Sequence, residues 1–77
     1  METAVARPLS QTDQGQVVSV TNIVAGRGLK MRLASMGLIP KTKIQVLRNG
    51  KSGPVVISVK NTRVALGRGV AEKIIVT

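Results

Sequence analysis

The sequence has no cysteine, no histidine and no aromatic residue of any kind. It also has little negative charge, with three acidic residues against twelve basic ones. Without cysteine there is no disulfide to staple the chain, and none that a reducing compartment could break. Without cysteine and histidine the usual zinc and iron ligands are missing. The only carboxylates, Glu2, Asp13 and Glu72, lie far apart in sequence. Catalysis loses the same groups. General acid–base work wants histidine or a carboxylate with a tuned pKa, and a serine nucleophile needs a base beside it. The sequence therefore predicts no catalytic residue, no resident metal and no cofactor.

The missing aromatics exclude more. Readers of single-stranded nucleic acid stack bases on aromatic rings. Capture of proline-rich peptides needs an aromatic-lined groove. Duplex binding by charge alone survives this test, because the formal net charge is +9 and phosphate backbones reward it. That charge is not one block. It runs from Arg7 to Lys73, as solubilising charge does on many small domains.

No apolar run approaches the ~20 residues of a membrane span. The stretch from Met1 to Leu9 has neither a basic start nor an apolar block, so no secretory leader is expected. A soluble, cytoplasmic protein is the expectation.

What is present is aliphatic. The chain of 77 residues is 43% hydrophobic, supplied largely by Val, Ile and Leu. One small domain of this size buries only about 60–65% of the surface its unfolded chain exposes, so its core must be economical. The pattern predicts a loose N-terminus over residues 1–8 and a single domain over 9–77, with Leu9 docking on the core.

After a turn at Gly15, the β-branched run Gln16–Thr21 reads as a strand. A helix follows over Leu29–Met36, with Leu29, Leu33 and Met36 at i, i+4 and i+7 forming one core-facing stripe. Gly37 is placed to end it in the left-handed conformation, Leu38 to fold back on Leu33, and Pro40 to prevent continuation. The remainder reads as strands and turns. Ile44 and Val46 point inward, as do Val55, Ile57 and Val59, and then Val64 and Leu66. Asn49–Gly53 and Asn61 make turns, Val70–Lys73 one helical turn, and Ile74–Val76 the last strand. The sum is a mainly β domain of about five strands with one short helix after the first. Rolling such a sheet into a small barrel creates an interior from few residues and leaves few free edges. Gly26-Arg27-Gly28 before the helix matches no phosphate-binding fingerprint and reads as a plain loop.

The ordered set Leu29, Leu33, Met36, Gly37, Leu38, Pro40, then Gly53-Pro54, Ile57 and Val59, Ala65-Leu66, and Ala71, Ile74 and Val76 resembles the FeoA family. The match spans about Gly15 to Val76. The resemblance implies an SH3-like barrel acting as a non-enzymatic accessory of ferrous iron uptake. Its implied partner is the cytosolic part of the FeoB-type membrane GTPase transporter. The same domain resembles the C-terminal module of some metal-dependent repressors.

Three positions depart from the family pattern. Lys41 stands where glycine is usual, which predicts a type I rather than a type II turn at Pro40-Lys41. Asn61 replaces a common glycine, and Thr12 a common leucine. The motif residues read as structural. A contact surface must instead come from exposure: Arg27, Lys30 and Met31 on the outer face of the helix, with Leu38 and Ile39 at its exit. Self-association through sheet edges or this ridge fits the same pattern. The alternative is a basic nucleic-acid-binding barrel of the same fold.

Overall fold

A computed structural model describes residues 5–50 and 52–77. Six strands form one antiparallel sheet: β1 (Arg7–Pro8), β2 (Val17–Ile23), β3 (Lys43–Arg48), β4 (Val55–Val59), β5 (Thr62–Leu66) and β6 (Ile74–Val76). Their order is β1-β6-β2-β3-β4-β5. Helix α1 (Arg27–Ser35) joins β2 to β3, and the single turn α2 (Arg68–Ala71) joins β5 to β6. A 3₁₀ turn at Leu9–Gln11 follows β1.

The expected mainly β domain with one short helix of more than a turn is what forms. The expected strand count is corrected from five to six. Arg7–Pro8, expected in the loose N-terminus, pairs with Val76 and Ile75. Residues 1–4 of that segment and Lys51 in the Asn49–Gly53 turn lie outside the described residues. The hydrogen-bonded ladder runs from β1 to β5 without joining those two edges, so the SH3-like sheet is not closed by strand pairing.

Alternation explains the core. In β4, Val55, Ile57 and Val59 are buried while Val56 and Ser58 are half-buried on the other face, the two-residue period of a strand. Among the described residues, all fifteen buried apolar ones are aliphatic, from Leu9 to Val76, and they form one cluster. Compact β-branched side chains thus fill the interior without a ring.

Helix α1 starts two residues earlier than the expected Leu29, with Gly26 as its N-cap, and ends at Ser35. Its end is a Schellman cap: the Gly37 N–H donates to the Ala34 carbonyl at 2.9 Å and the Leu38 N–H to the Leu33 carbonyl at 3.0 Å. Gly37 takes φ +92°, and a Cβ there would stand 3.2 Å from Val59 Cγ1. The left-handed conformation asks for glycine there, and the tight approach of Val59 adds to the cost of any side chain.

Two turns need left-handed residues that are not glycine. Lys60 and Asn61 have φ 49° and 65° and link β4 to β5, the two-residue hairpin geometry whose twist matches the strands. Asn61 is the residue expected there; Lys60 is an addition. At Ile39–Thr42 the expected type I turn is corrected. Lys41 has φ 76°, and the Thr42 N–H donates to the Ile39 carbonyl at 3.2 Å, a type II turn. The turn is held from outside, because the Lys41 N–H donates to the Val20 carbonyl and the Val20 N–H to the Thr42 carbonyl. These sheet bonds outweigh the local preference of lysine. Lys41→Gly is therefore expected to raise stability by up to about 1 kcal/mol, read as a higher midpoint in urea with an unchanged slope.

Where the ladder stops, side chains bridge. Arg68, the first residue of α2, donates from Nη1 to Asn49 Oδ1 at 3.1 Å and the Gly50 carbonyl at 2.7 Å, with a longer 3.4 Å contact to the Gly53 carbonyl. Its Nη2 reaches the Ser10 carbonyl at 3.3 Å. Asn49 Nδ2 donates to the carbonyls of Ser10 and Thr12. Thr12 is buried, and its hydroxyl caps the Leu9 carbonyl at 2.7 Å. A polar position in the apolar N-terminal dock is thus satisfied, and Leu9 is fully buried as expected.

Candidate partner-binding site

Helix α1 has two kinds of surface. Leu33 is buried and Leu29 partly buried against the core, while Arg27, Lys30, Met31 and Ala34 are exposed. The spacing 27, 30/31, 34 puts these four on one outward stripe. Met31 is 65% exposed, a long apolar side chain between two cations.

The structure sorts the expected contact residues. Arg27, Lys30 and Met31 are exposed on the ridge, and Ile39 is 45% exposed at the helix exit. Leu38 is not available: it is fully buried, because the Schellman cap turns it inward. It supports the surface from below. Met36, expected on the core stripe, is corrected too. It is 41% exposed, because the helix has already ended and its φ, ψ of −94°, 3° carries it off the helical register.

Lys30, Leu38 and Ile39 meet in one shallow groove of about 170 Å³ between α1, β2 and the helix exit. Asn22, Ile23, Ala34 and Pro40 complete its walls. Ala34 and Asn22 are additions to the expected set. Ala34 carries a usable signal, since a small residue one turn after Lys30 leaves room beside the helix. The groove is mostly apolar, with one ammonium at its rim.

The charge arrangement at the start of α1 runs against local preference. Arg27 opens the helix, no acidic residue occupies the first turn, and Gly26 offers no side-chain cap. A cation at the positive end of a helix dipole is disfavoured by about 0.3–1 kcal/mol. No carboxylate occurs anywhere between Asp13 and Glu72 to offset it. The N-terminal half of α1 thus presents positive charge and apolar surface together, which suits an acidic protein surface.

Among the described residues no three metal-ligating side chains cluster, and no buried side-chain polar atom is left unsatisfied. Among them, too, no helix is long and apolar enough to cross a membrane.

Comparison with known proteins places these features. The model of the FeoA domain matches residues 7–77. A Methanocaldococcus jannaschii protein named for Fe(2+) transport, transport protein A, is 46% identical over 69 residues, covering 90% of this chain and 83% of that one. Among solved structures, the crystal structure of an iron uptake regulatory protein, FeoA, superposes with a TM-score of 0.86 at 39% identity, over 96% of this chain and 97% of that chain. A manganese-dependent transcriptional repressor superposes with a TM-score of 0.85 at 26% identity, over 99% of this chain but only 43% of its own. In the repressor this fold is therefore one part of a larger protein. With the capped helix, the SH3-like sheet and the match over residues 7–77 in agreement, the chain belongs to the FeoA family.

Proposed function

We propose that this protein is a non-enzymatic accessory of ferrous iron uptake that works on the cytosolic side by docking on the soluble part of a FeoB-type membrane GTPase transporter. The observation that carries the reading is the ridge Arg27–Lys30–Met31 beside the groove rimmed by Ile39, on a member of the FeoA family. The cations attract and orient an acidic surface, and the apolar groove supplies the short-range contact.

The test uses the intact chain and the cytosolic part of the transporter. Binding is expected to weaken at least about tenfold in the double variant Lys30→Glu, Ile39→Asp, with an unchanged circular dichroism melt, since both side chains are exposed. Binding is also expected to fall as salt rises. No association of the unaltered chain at low salt overturns the reading.

A second reading has its own observation. Arg48 and Arg63 flank a shallow basin floored by Leu47 and Val56 on the outer face of the sheet. Neither guanidinium has a side-chain hydrogen-bond partner among the described residues. A duplex phosphate backbone fits such a face. The logarithm of its binding constant would fall linearly with the logarithm of salt concentration, and Arg48→Glu, not Lys30→Glu, would abolish it.

A further inference from the structure

The far flank of α1 faces the free edge of β5. The hairpin geometry determines what that edge offers. A two-residue turn at Lys60-Asn61 makes Val59 and Thr62 a hydrogen-bonded pair. Bonded and non-bonded pairs alternate along an antiparallel ladder, so Ile57 with Val64 and Val55 with Leu66 are bonded pairs too. The backbone groups of Arg63 and Ala65 therefore point away from β4. They offer two N–H donors and two carbonyl acceptors to the outside. β5 is the last strand of the order, and no backbone bond outside the ladders uses either residue among those described.

The space beside this edge is shaped. Two depressions, of about 300 and about 530 Å³, lie between α1 and β5 and meet at Met36, which lines both. Leu29, Leu66 and Val70 line the first, and Val59 and Val64 the second. Arg32 borders the first and Lys60 the second, and no Asp or Glu lines either. Free backbone groups and apolar hollows along a strand are what strand addition uses, for affinity and for specificity, and the basic rim adds a preference for an acidic strand.

We infer that the β5 edge is a strand-addition site for an extended acidic peptide, with apolar side chains at alternate positions entering the two hollows and carboxylates outside. Met36 is the adjustable wall between them: half-exposed, unbranched and able to fill an irregular gap. The charge decides the occupant. A second copy of this chain, also carrying +9, is repelled, whereas an acidic strand is attracted. The site shares only Ala34 with the groove beside β2 and does not depend on the docking proposed there.

The experiment titrates the intact, isotope-labelled chain with a ten-residue capped peptide alternating valine and glutamate. Selective shifts and slowed exchange of the Arg63 and Ala65 amides, with shifts of the Met36 methyl, are expected. A peptide with lysine in place of glutamate binds at least tenfold more weakly. Ala65→Pro removes one free donor without touching the ladder to β4, a tolerated place for proline in a strand, and is expected to weaken binding at least tenfold. If that variant fails to fold, peptides N-methylated at alternate residues give the same answer: one set abolishes binding and the other preserves it. Unmoved Arg63 and Ala65 amides at millimolar peptide, or equal binding of both methylated sets, overturns the inference. So does a concentration-dependent shift of these amides without peptide, which would make a second copy the occupant.

Discussion

Leu38→Ala is expected to cost about 2–5 kcal/mol, the range for deleting a buried leucine side chain and leaving a partly collapsed cavity. Leu38 is fully buried, and it follows Gly37 inside the cap that fixes the end of α1. The loss has two parts, the burial of the side chain and the apolar clasp that accompanies the cap. A domain of this size has a stability near the low end of about 5–15 kcal/mol. The variant should therefore melt at least about 10 °C lower, or be partly unfolded at 37 °C. Leu38→Met, which keeps the volume, should lose less than about 1.5 kcal/mol. The comparison separates packing from recognition. If Leu38 acted as a contact residue, the methionine variant would melt normally yet bind the proposed transporter partner poorly. The burial predicts that it binds as well as the unaltered chain.

The second large effect belongs to Arg68. Its guanidinium ties α2 to the β3–β4 turn and to the segment after β1, through Asn49, Gly50 and Ser10. Among the described residues, the hydrogen bonds that join these three stretches are made by side chains, because the strand ladder does not pass between β1 and β5. Arg68→Ala removes the donor to Asn49 Oδ1 and the Gly50 carbonyl, while the Ser10 carbonyl keeps Asn49 Nδ2; the cost is about 1.5–3 kcal/mol for hydrogen bonds made by a charged group, nearer the lower figure because Arg68 is only half-buried. Arg68→Lys should recover little, since an ammonium lacks the planar fork that reaches Asn49 and Ser10 together. Amide exchange would locate the damage: protection should fall first at residues 7–12 and in the β3–β4 turn, with β4 and β5 keeping theirs.

Several features could be read from the residues because local chemistry and fold agree there. Gly37 is needed by the cap whatever surrounds it, and the alternation of Val55, Ile57 and Val59 leaves one face for the core. The ridge residues Arg27, Lys30 and Met31 follow from the same helical period. Other features depend on partners distant in sequence. Lys41 adopts the type II turn because Val20 holds the backbone on both sides. Arg7 and Pro8 form a strand because Ile75 and Val76 provide an edge. Arg68 carries no pattern that distinguishes it from the other arginines until Asn49 stands before it. Met36 fits the core stripe by counting, and leaves it because the helix ends one residue sooner. The groove beside β2 is half legible: its rim at Lys30 and Ile39 follows from exposure, but Asn22 enters it only through the path of β2 beneath the helix exit.

The position of β6 has a consequence for how the molecule is born. Ile74–Val76 lies between β1 and β2, the two strands that come first in the sheet's chain order. Val20 must find Val76, and Arg7 must find the same residue, across almost the whole domain. On the ribosome the early strands therefore wait unpaired on that side until the final strand has left the exit tunnel. The domain matures in one late event instead of growing piece by piece, and a message truncated just before Ile74 should yield a chain that proteases clear.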